Sequence, residues 1–212
     1  MFQRGRTVRT FAGLLIGLVL LSAGSAAAQT IGAGKLEATL TPAGWVSVAA
    51  ADTVPEPSFS QYLFGGAFAV NWSMLGLEGE IFLAPGRTQD LKYGSAPPVS
   101  DGTPMVIVDS VTMVVPLAGN SRRAVPYGAA GIGEFTVMRT SDNVTQPDTE
   151  TFTTGFFGGG LKWYRSTRWG VRADYRYLVV RSKLHSPGDF FGEELRKAHR
   201  IYGALTVNLI GR

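Results

Sequence analysis

The chain has 212 residues, with 20 Lys/Arg, 16 Asp/Glu, two histidines and no cysteine. The lack of cysteine excludes disulfides, cysteine metal sites and a lipid-modified N-terminal cysteine. Three of the bases fall in the first nine residues, so the remainder is almost charge-balanced and nothing in it points to nucleic acid.

The N-terminus reads as an export signal. Arg4, Arg6 and Arg9 precede an unbroken apolar run over residues 11–21, and small residues then lead to Ala26-Ala27-Ala28-Gln29. A charged start, a short apolar run and an A-x-A site make a cleavable signal peptide over 1–28. The run is well short of the roughly 20 residues that a spanning helix needs. A short linker is expected at 29–34 and one domain over 35–212. Glycine, at 27 residues, is nearly twice its ordinary share. With many aromatics and short apolar runs, that favours β structure with frequent turns.

Eight strands are predicted, near 35–49, 61–73, 76–84, 104–117, 125–139, 151–164, 170–183 and 199–210. The connections alternate in length. Long ones lie at 50–60 (Pro55, Pro57), 85–103 (Pro97-Pro98, Asp101-Gly102), 140–150 (Pro147) and 184–198 (Pro187-Gly188). Short ones lie at 74–75, 118–124 and 165–169. Bacterial outer-membrane barrels have short periplasmic turns and longer external loops. An even strand count with a periplasmic N-terminus puts all seven connections on the expected side.

Alternation along the strands supports this reading. In the seventh strand Val171, Ala173, Tyr175, Tyr177 and Val179 share one face, and Arg172, Asp174, Arg176, Leu178 and Val180 the other. An apolar face with tyrosines and a face carrying both charge signs suit a barrel that is apolar to lipid and polar to lumen. The second strand sets Tyr62, Phe64, Phe68, Val70 and Trp72 against Gln61, Ala67, Ala69 and Asn71. The third sets Leu77, Ile81 and Leu83 against Glu78 and Glu80. The sixth sets Phe157, Leu161 and Trp163 against Thr154, Gly158, Gly160 and Lys162, and the eighth sets Ile201, Leu205, Val207 and Leu209 against Arg200, Thr206 and Asn208. The fourth strand alternates poorly, and Ser110 and Thr112 are taken as inward. In the first, Trp45 shares a face with Glu37 and Thr39, which blurs the rule.

Several stretches resemble bacterial outer-membrane β-barrels of the OmpA/OmpX-like eight-stranded kind: GLEGEIFLAPG from Gly76, VPYGAAGIGEF from Val125, FGGGLKWY from Phe157, WGVRADYRYLVV from Trp169 and HRIYGALTVNL from His199. The resemblance implies an all-β, eight-stranded, antiparallel up-and-down transmembrane barrel in the outer membrane. Its implied partners are outer-membrane lipid and lipopolysaccharide, the assembly machinery, and an extracellular ligand at the loops. One departure is the C-terminus. Such barrels usually end on an aromatic residue, whereas this chain ends Asn208-Leu209-Ile210-Gly211-Arg212. A periplasmic peptidoglycan-binding domain is not expected.

The inward faces are expected to collect Glu37, Glu78, Glu80, Glu134, Lys162, Arg172, Asp174, Arg176 and Arg200. The third and seventh strands lie opposite each other in an eight-stranded barrel, so Glu78 and Glu80 can meet Arg172 and Arg176 across a lumen only wide enough for side chains. A packed ion-pair network is favoured over a charged constriction in a pore. Tyr62, Phe64, Trp72, Tyr127, Trp163, Trp169, Tyr175 and Tyr177 are candidates for interfacial aromatic girdles. No cofactor or metal is expected. Catalysis is not expected either, because the only histidines are His185 in the last long loop and His199 near the eighth strand. The expected role is structural, or recognition through four long external loops. A narrow channel, a lipid-modifying enzyme and a soluble periplasmic ligand-binding barrel are the alternatives.

Overall fold

The computed structural model describes residues 33–49, 57–92, 95–118, 122–139, 148–181 and 195–210. The expected signal peptide, most of the expected linker, His185 and large parts of the long connections lie outside the described residues. Among the described residues ten strands form: β1 (Leu36–Val48), β2 (Phe59–Asn71), β3 (Gly76–Ala84), β4 (Thr88–Leu91), β5 (Val99–Gly102), β6 (Met105–Pro116), β7 (Ala124–Arg139), β8 (Asp148–Tyr164), β9 (Trp169–Arg181) and β10 (Arg196–Ile210). Eight of them close into an antiparallel barrel in the order β1-β10-β9-β8-β7-β6-β3-β2. Closure leaves no unpaired edge. The remaining two, β4 and β5, pair with each other inside the connection at 85–103, with Thr88 opposite Gly102 and Leu91 opposite Val99. They were not predicted, because β5 is exposed along its length and so carries no alternation.

Period-two burial organises the wall. β9 alternates without a break from Trp169 to Val180, with Arg172, Asp174, Arg176, Leu178 and Val180 inward. β1 departs from it for a structural reason. Its pairing with both neighbours slips around Pro42-Ala43. The extra residues of a bulge shift the phase of everything beyond them. Hence Glu37, Thr39 and Thr41 are buried before the slip and Val46 and Val48 after it, while Trp45 points outward.

Two expected orientations on β7 are corrected. Val125, Tyr127, Phe135 and Val137 are inward, so Glu134 is exposed on the outer face, opposite Asp109 of β6. Tyr127 is buried in the lumen and is not part of a girdle. Both faces of this strand are largely apolar or glycine. Burying Val125, Phe135, Val137 and the Tyr127 ring inside prevails over burying one carboxylate.

Inside and outside are layered in opposite senses along the barrel. In the half nearer the short turns the interior is ionic, and the outer wall carries Phe68, Leu77, Leu161, Val171 and Leu205. In the half nearer the long connections the interior is apolar. Val46, Leu63, Phe82, Val108, Phe135, Phe152 and Leu178 form one cluster there. The outer wall at that level carries Asp109, Glu134, Thr136, Thr153, Arg181 and Lys197. The lumen is therefore packed by ion pairs over only part of its length.

Candidate functional site

The ionic half of the lumen is the one place where the wall concentrates chemistry-bearing side chains. At the short-turn end, Lys162 of β8 lies 2.5 Å from Glu37 Oε2 of β1, and the Tyr164 hydroxyl donates to the other oxygen of Glu37. Thr39 and Thr206 hydroxyls meet at 3.3 Å beside them. Since β1 and β8 are not neighbours in the wall, these contacts cross the barrel.

The next level holds the densest cluster. Arg172 of β9 binds Glu78 of β3 through both terminal nitrogens, with Nη2–Oε1 at 2.9 Å. Two parallel N–H donors onto one carboxylate make the stronger, directional form of this contact. Arg172 also donates to Asp174 at 2.7 Å and, through Nε, to the Tyr127 hydroxyl at 2.7 Å. Tyr127 in turn donates to Asp174. Arg176 binds Asp174 through Nε at 2.6 Å and reaches Glu80 at 3.5 Å and Glu78 at 3.7 Å. Arg200 of β10 takes the other Glu80 oxygen at 2.5 Å, and Ser110 donates to that oxygen at 3.1 Å. Four acids thus face four bases, all nearly or fully buried. Such groups must be paired to be tolerated in a dry interior.

Aromatic rings bound the cluster. The Arg172 guanidinium sits 5.1 Å from the Tyr127 ring and 5.5 Å from the Tyr202 ring, and Arg200 stacks 4.3 Å from the Phe82 ring. Tyr127 fits because Gly160 faces it from β8. A Cβ on Gly160 would lie 2.5 Å from the tyrosine oxygen. Phe156 is admitted in the same way by Gly131, whose Cβ would sit 2.5 Å from the ring. The glycines of β7 and β8 are thus clearances for inward rings.

Above the ionic cluster, the apolar cluster fills the barrel, and Leu91 of β4 belongs to it at 3% exposure. The β4–β5 hairpin therefore seats a side chain in the long-connection mouth. The rim there is fastened by polar groups, Gln61 on the inward face expected for it and Arg196, which the sequence reading missed. Gln61 donates to Thr103 Oγ1 at 2.7 Å and to the Pro104 carbonyl at 2.6 Å. Arg196, almost wholly buried, donates to the Ala49 and Pro57 carbonyls at 2.7 and 3.0 Å. The signal for Arg196 was present, since it shares the phase of Arg200 four residues on. Beginning the last strand at His199 cut it off.

Of the expected inward charges, Glu37, Glu78, Glu80, Lys162, Arg172, Asp174, Arg176 and Arg200 are buried inside, and Glu134 is outside. Of the expected girdle residues, Tyr62, Phe64, Trp72, Trp163, Trp169 and Tyr175 are exposed on the outer wall, and Tyr177 lies there too. Trp72, Trp163 and Trp169 flank the short turns. Trp45, Tyr62, Tyr175 and Tyr177 sit toward the other end, with Trp45 against Tyr62 edge-on at 6.0 Å. His199 lies on this outer face, its Nδ1 2.8 Å from the Tyr175 hydroxyl and its ring against Tyr177.

No protein-family model matches the chain, and no curated protein matches it in sequence. Solved structures do match. Neisserial surface protein A aligns with a TM-score of 0.60 at 9% identity, over 84% of this chain and 99% of that one. The attachment invasion locus protein Ail of Yersinia pestis, solved with the heparin analogue sucrose octasulfate, aligns with a TM-score of 0.51 at 16% identity, over 82% and 98%. The N-terminal β-barrel domain of Pseudomonas aeruginosa OprF gives 0.49 at 12% identity, over 82% and 98%. At such identities the likeness is one of fold. The chain has the closed eight-stranded antiparallel barrel found in outer-membrane proteins.

Proposed function

We propose that this chain is a non-enzymatic outer-membrane β-barrel with a closed lumen, which holds its four long connections at the cell surface as a structural or recognition platform. The observation that carries the reading is the two-layered wall. Between the tryptophans at the short turns and the aromatics toward the other end, the outer face is apolar. From Trp169 to Tyr177 the strand runs eight residues, roughly 27 Å, or about 20 Å along the barrel axis at a tilt near 40°. That approaches the apolar band of about 25 Å expected of such barrels.

Beyond this band the wall turns polar outside and apolar inside, as a water-soluble barrel would. The long-connection half therefore stands clear of lipid, presenting its loops to the medium. The interior supports a non-conducting role. An ion-paired level and an apolar level lie in series along the same axis, and a hydrated path would have to breach both. Outer-leaflet lipopolysaccharide and the outer-membrane assembly machinery are the partners that this reading entails.

Fractionation combined with gel mobility before and after heating tests it. The expected outcome is recovery with the outer membrane, extraction only by detergent, and slower migration after boiling. Recovery in the detergent-free periplasmic fraction would overturn the reading. Planar-bilayer recording separates closed from conducting lumens, and well-defined single-channel steps would contradict closure.

A further inference from the structure

We infer that the short-turn end of the barrel is a basic collar that binds the phosphate headgroups of anionic phospholipids in the adjoining leaflet. The inference rests on the membrane reading above. Lys35, Arg122, Arg123, Arg165 and Arg168 are all exposed at this end, and the described residues there include no exposed acid. The carboxylates nearest it, Glu37 and Glu78, are buried inside the barrel and paired with Lys162 and Arg172. At the long-connection end, by contrast, exposed bases such as Arg181 and Lys197 are interspersed with Asp90, Asp101, Asp109 and Glu134. Among the described residues, the unbalanced surface charge is thus concentrated at one rim.

The backbone brings these bases together. The Tyr164 amide donates to the Arg123 carbonyl at 2.7 Å, which joins the turn before β7 to the turn after β8. The Asn208 amide donates to the Arg168 carbonyl at 2.7 Å, which joins that turn to the end of β10. Lys35 precedes β1, which pairs with β10 on its other side. The turn at 165–168 is held from within. Ser166 Oγ accepts from the amides of Arg168 and Trp169, both at 3.2 Å, and Asn208 donates to the Thr167 carbonyl at 2.9 Å. The bases are therefore carried on fixed backbone with free, long side chains.

Trp163 and Trp169 flank the same turn and are half exposed. Indole rings favour the headgroup level of a bilayer, which puts the arginines one step further out, at the phosphates. On the remaining side of the rim the turn between β2 and β3 carries exposed Met74 and Leu75 and no charge. The collar is consequently an arc covering the turns before β7 and after β8 and the start of β1. Anionic phospholipid is the occupant because the arc lies just beyond the indoles, at the level of the phosphates, and presents diffuse positive charge. Lysines and arginines near an anionic leaflet each contribute a favourable term that salt screens.

The test uses the whole barrel reconstituted in phosphatidylcholine bilayers containing a small fraction of spin-labelled phosphatidylglycerol, with spin-labelled phosphatidylcholine as reference. The motionally restricted fraction gives the relative association constant of the two lipids. A preference for phosphatidylglycerol of about five-fold is expected. It should fall toward unity in roughly 0.5 M salt and in the R122Q/R123Q/R165Q/R168Q variant. Glutamine removes the charge while keeping a polar, flexible side chain, and these positions are exposed, so the variant should retain its heat-modifiable mobility. A folded, inserted wild-type barrel with no preference would overturn the collar while leaving the membrane reading intact. An undiminished preference in the folded variant would overturn it as well, by placing the binding elsewhere. Failure of the wild type to enter bilayers at all would instead sink the membrane reading on which the collar depends.

Discussion

Replacing Arg172 with methionine should be among the most damaging single changes in the barrel. The side chain is fully buried and serves three groups at once: Glu78 through two nitrogens, Asp174 at 2.7 Å and the Tyr127 hydroxyl at 2.7 Å. Without it Glu78 keeps only Arg176, at 3.7 Å, while Asp174 retains Arg176 at 2.6 Å. The interior then carries one uncompensated acid. Leaving a buried charge without its partner costs about 3–5 kcal/mol. Removing Glu78 as well, as Arg172→Met/Glu78→Leu, restores the balance of acids and bases and refills the space with apolar groups. The double variant should therefore be more stable than the sum of the two losses by about 1–3 kcal/mol. Reversible urea unfolding in lipid vesicles, followed by tryptophan fluorescence, gives the three free energies. A loss under about 1 kcal/mol for Arg172→Met, or strict additivity in the double variant, would refute the reasoning.

Tyr127→Phe removes a buried hydroxyl that both donates to Asp174 and accepts from Arg172, so it should cost about 1–3 kcal/mol, whereas Tyr62→Phe on the outer wall should be nearly neutral in the same unfolding assay. Gly160→Val places branched carbons where the Tyr127 ring lies, and should destabilise by about 1–3 kcal/mol or more, read as loss of heat-modifiable mobility. Leu161→Arg, set in the apolar outer band, should cost roughly 2–4 kcal/mol in vesicles, while Ala173→Ser on the same face should cost little. Equal stabilities for Leu161→Arg and Ala173→Ser would mean that this face does not meet lipid.

The fold was legible wherever the two faces of a strand differ in kind. β9 and β10 alternate charge or small polar groups with aliphatic or aromatic ones over most of their length, so phase and facing could be read. β7 could not be read in this way, because alanine and glycine occupy both of its faces and apolar side chains stand on each. A single glutamate then suggested the wrong phase, and Tyr127 went outward with it. β1 hid a bulge at Pro42-Ala43, which lets Glu37 and Trp45 share parity in sequence yet face opposite ways. The opposition of Glu78 and Glu80 to Arg172 and Arg176 followed from strand order alone. The finer pairing did not. Arg200 takes the short contact to Glu80, and Asp174 bridges the two arginines beside it. Those choices depend on side-chain reach and barrel stagger, which local sequence does not encode. The apolar half of the lumen went unread for another reason. Phe82 sits in phase with Glu78 and Glu80, and Leu178 with Arg172 and Arg176, and the expectation of a polar lumen masked the apolar layer to which they belong.

The proposed membrane role requires that the outer wall of the short-turn half face lipid. Nitroxide labels at Leu161, Val171 and Leu205, with a control at Arg181 above the band, test it most directly in reconstituted bilayers. Strong relaxation by oxygen and little by a water-soluble nickel chelate is expected at the first three sites, with the reverse at Arg181. Access of the nickel chelate to Leu161, Val171 and Leu205 equal to that at Arg181 would contradict that role.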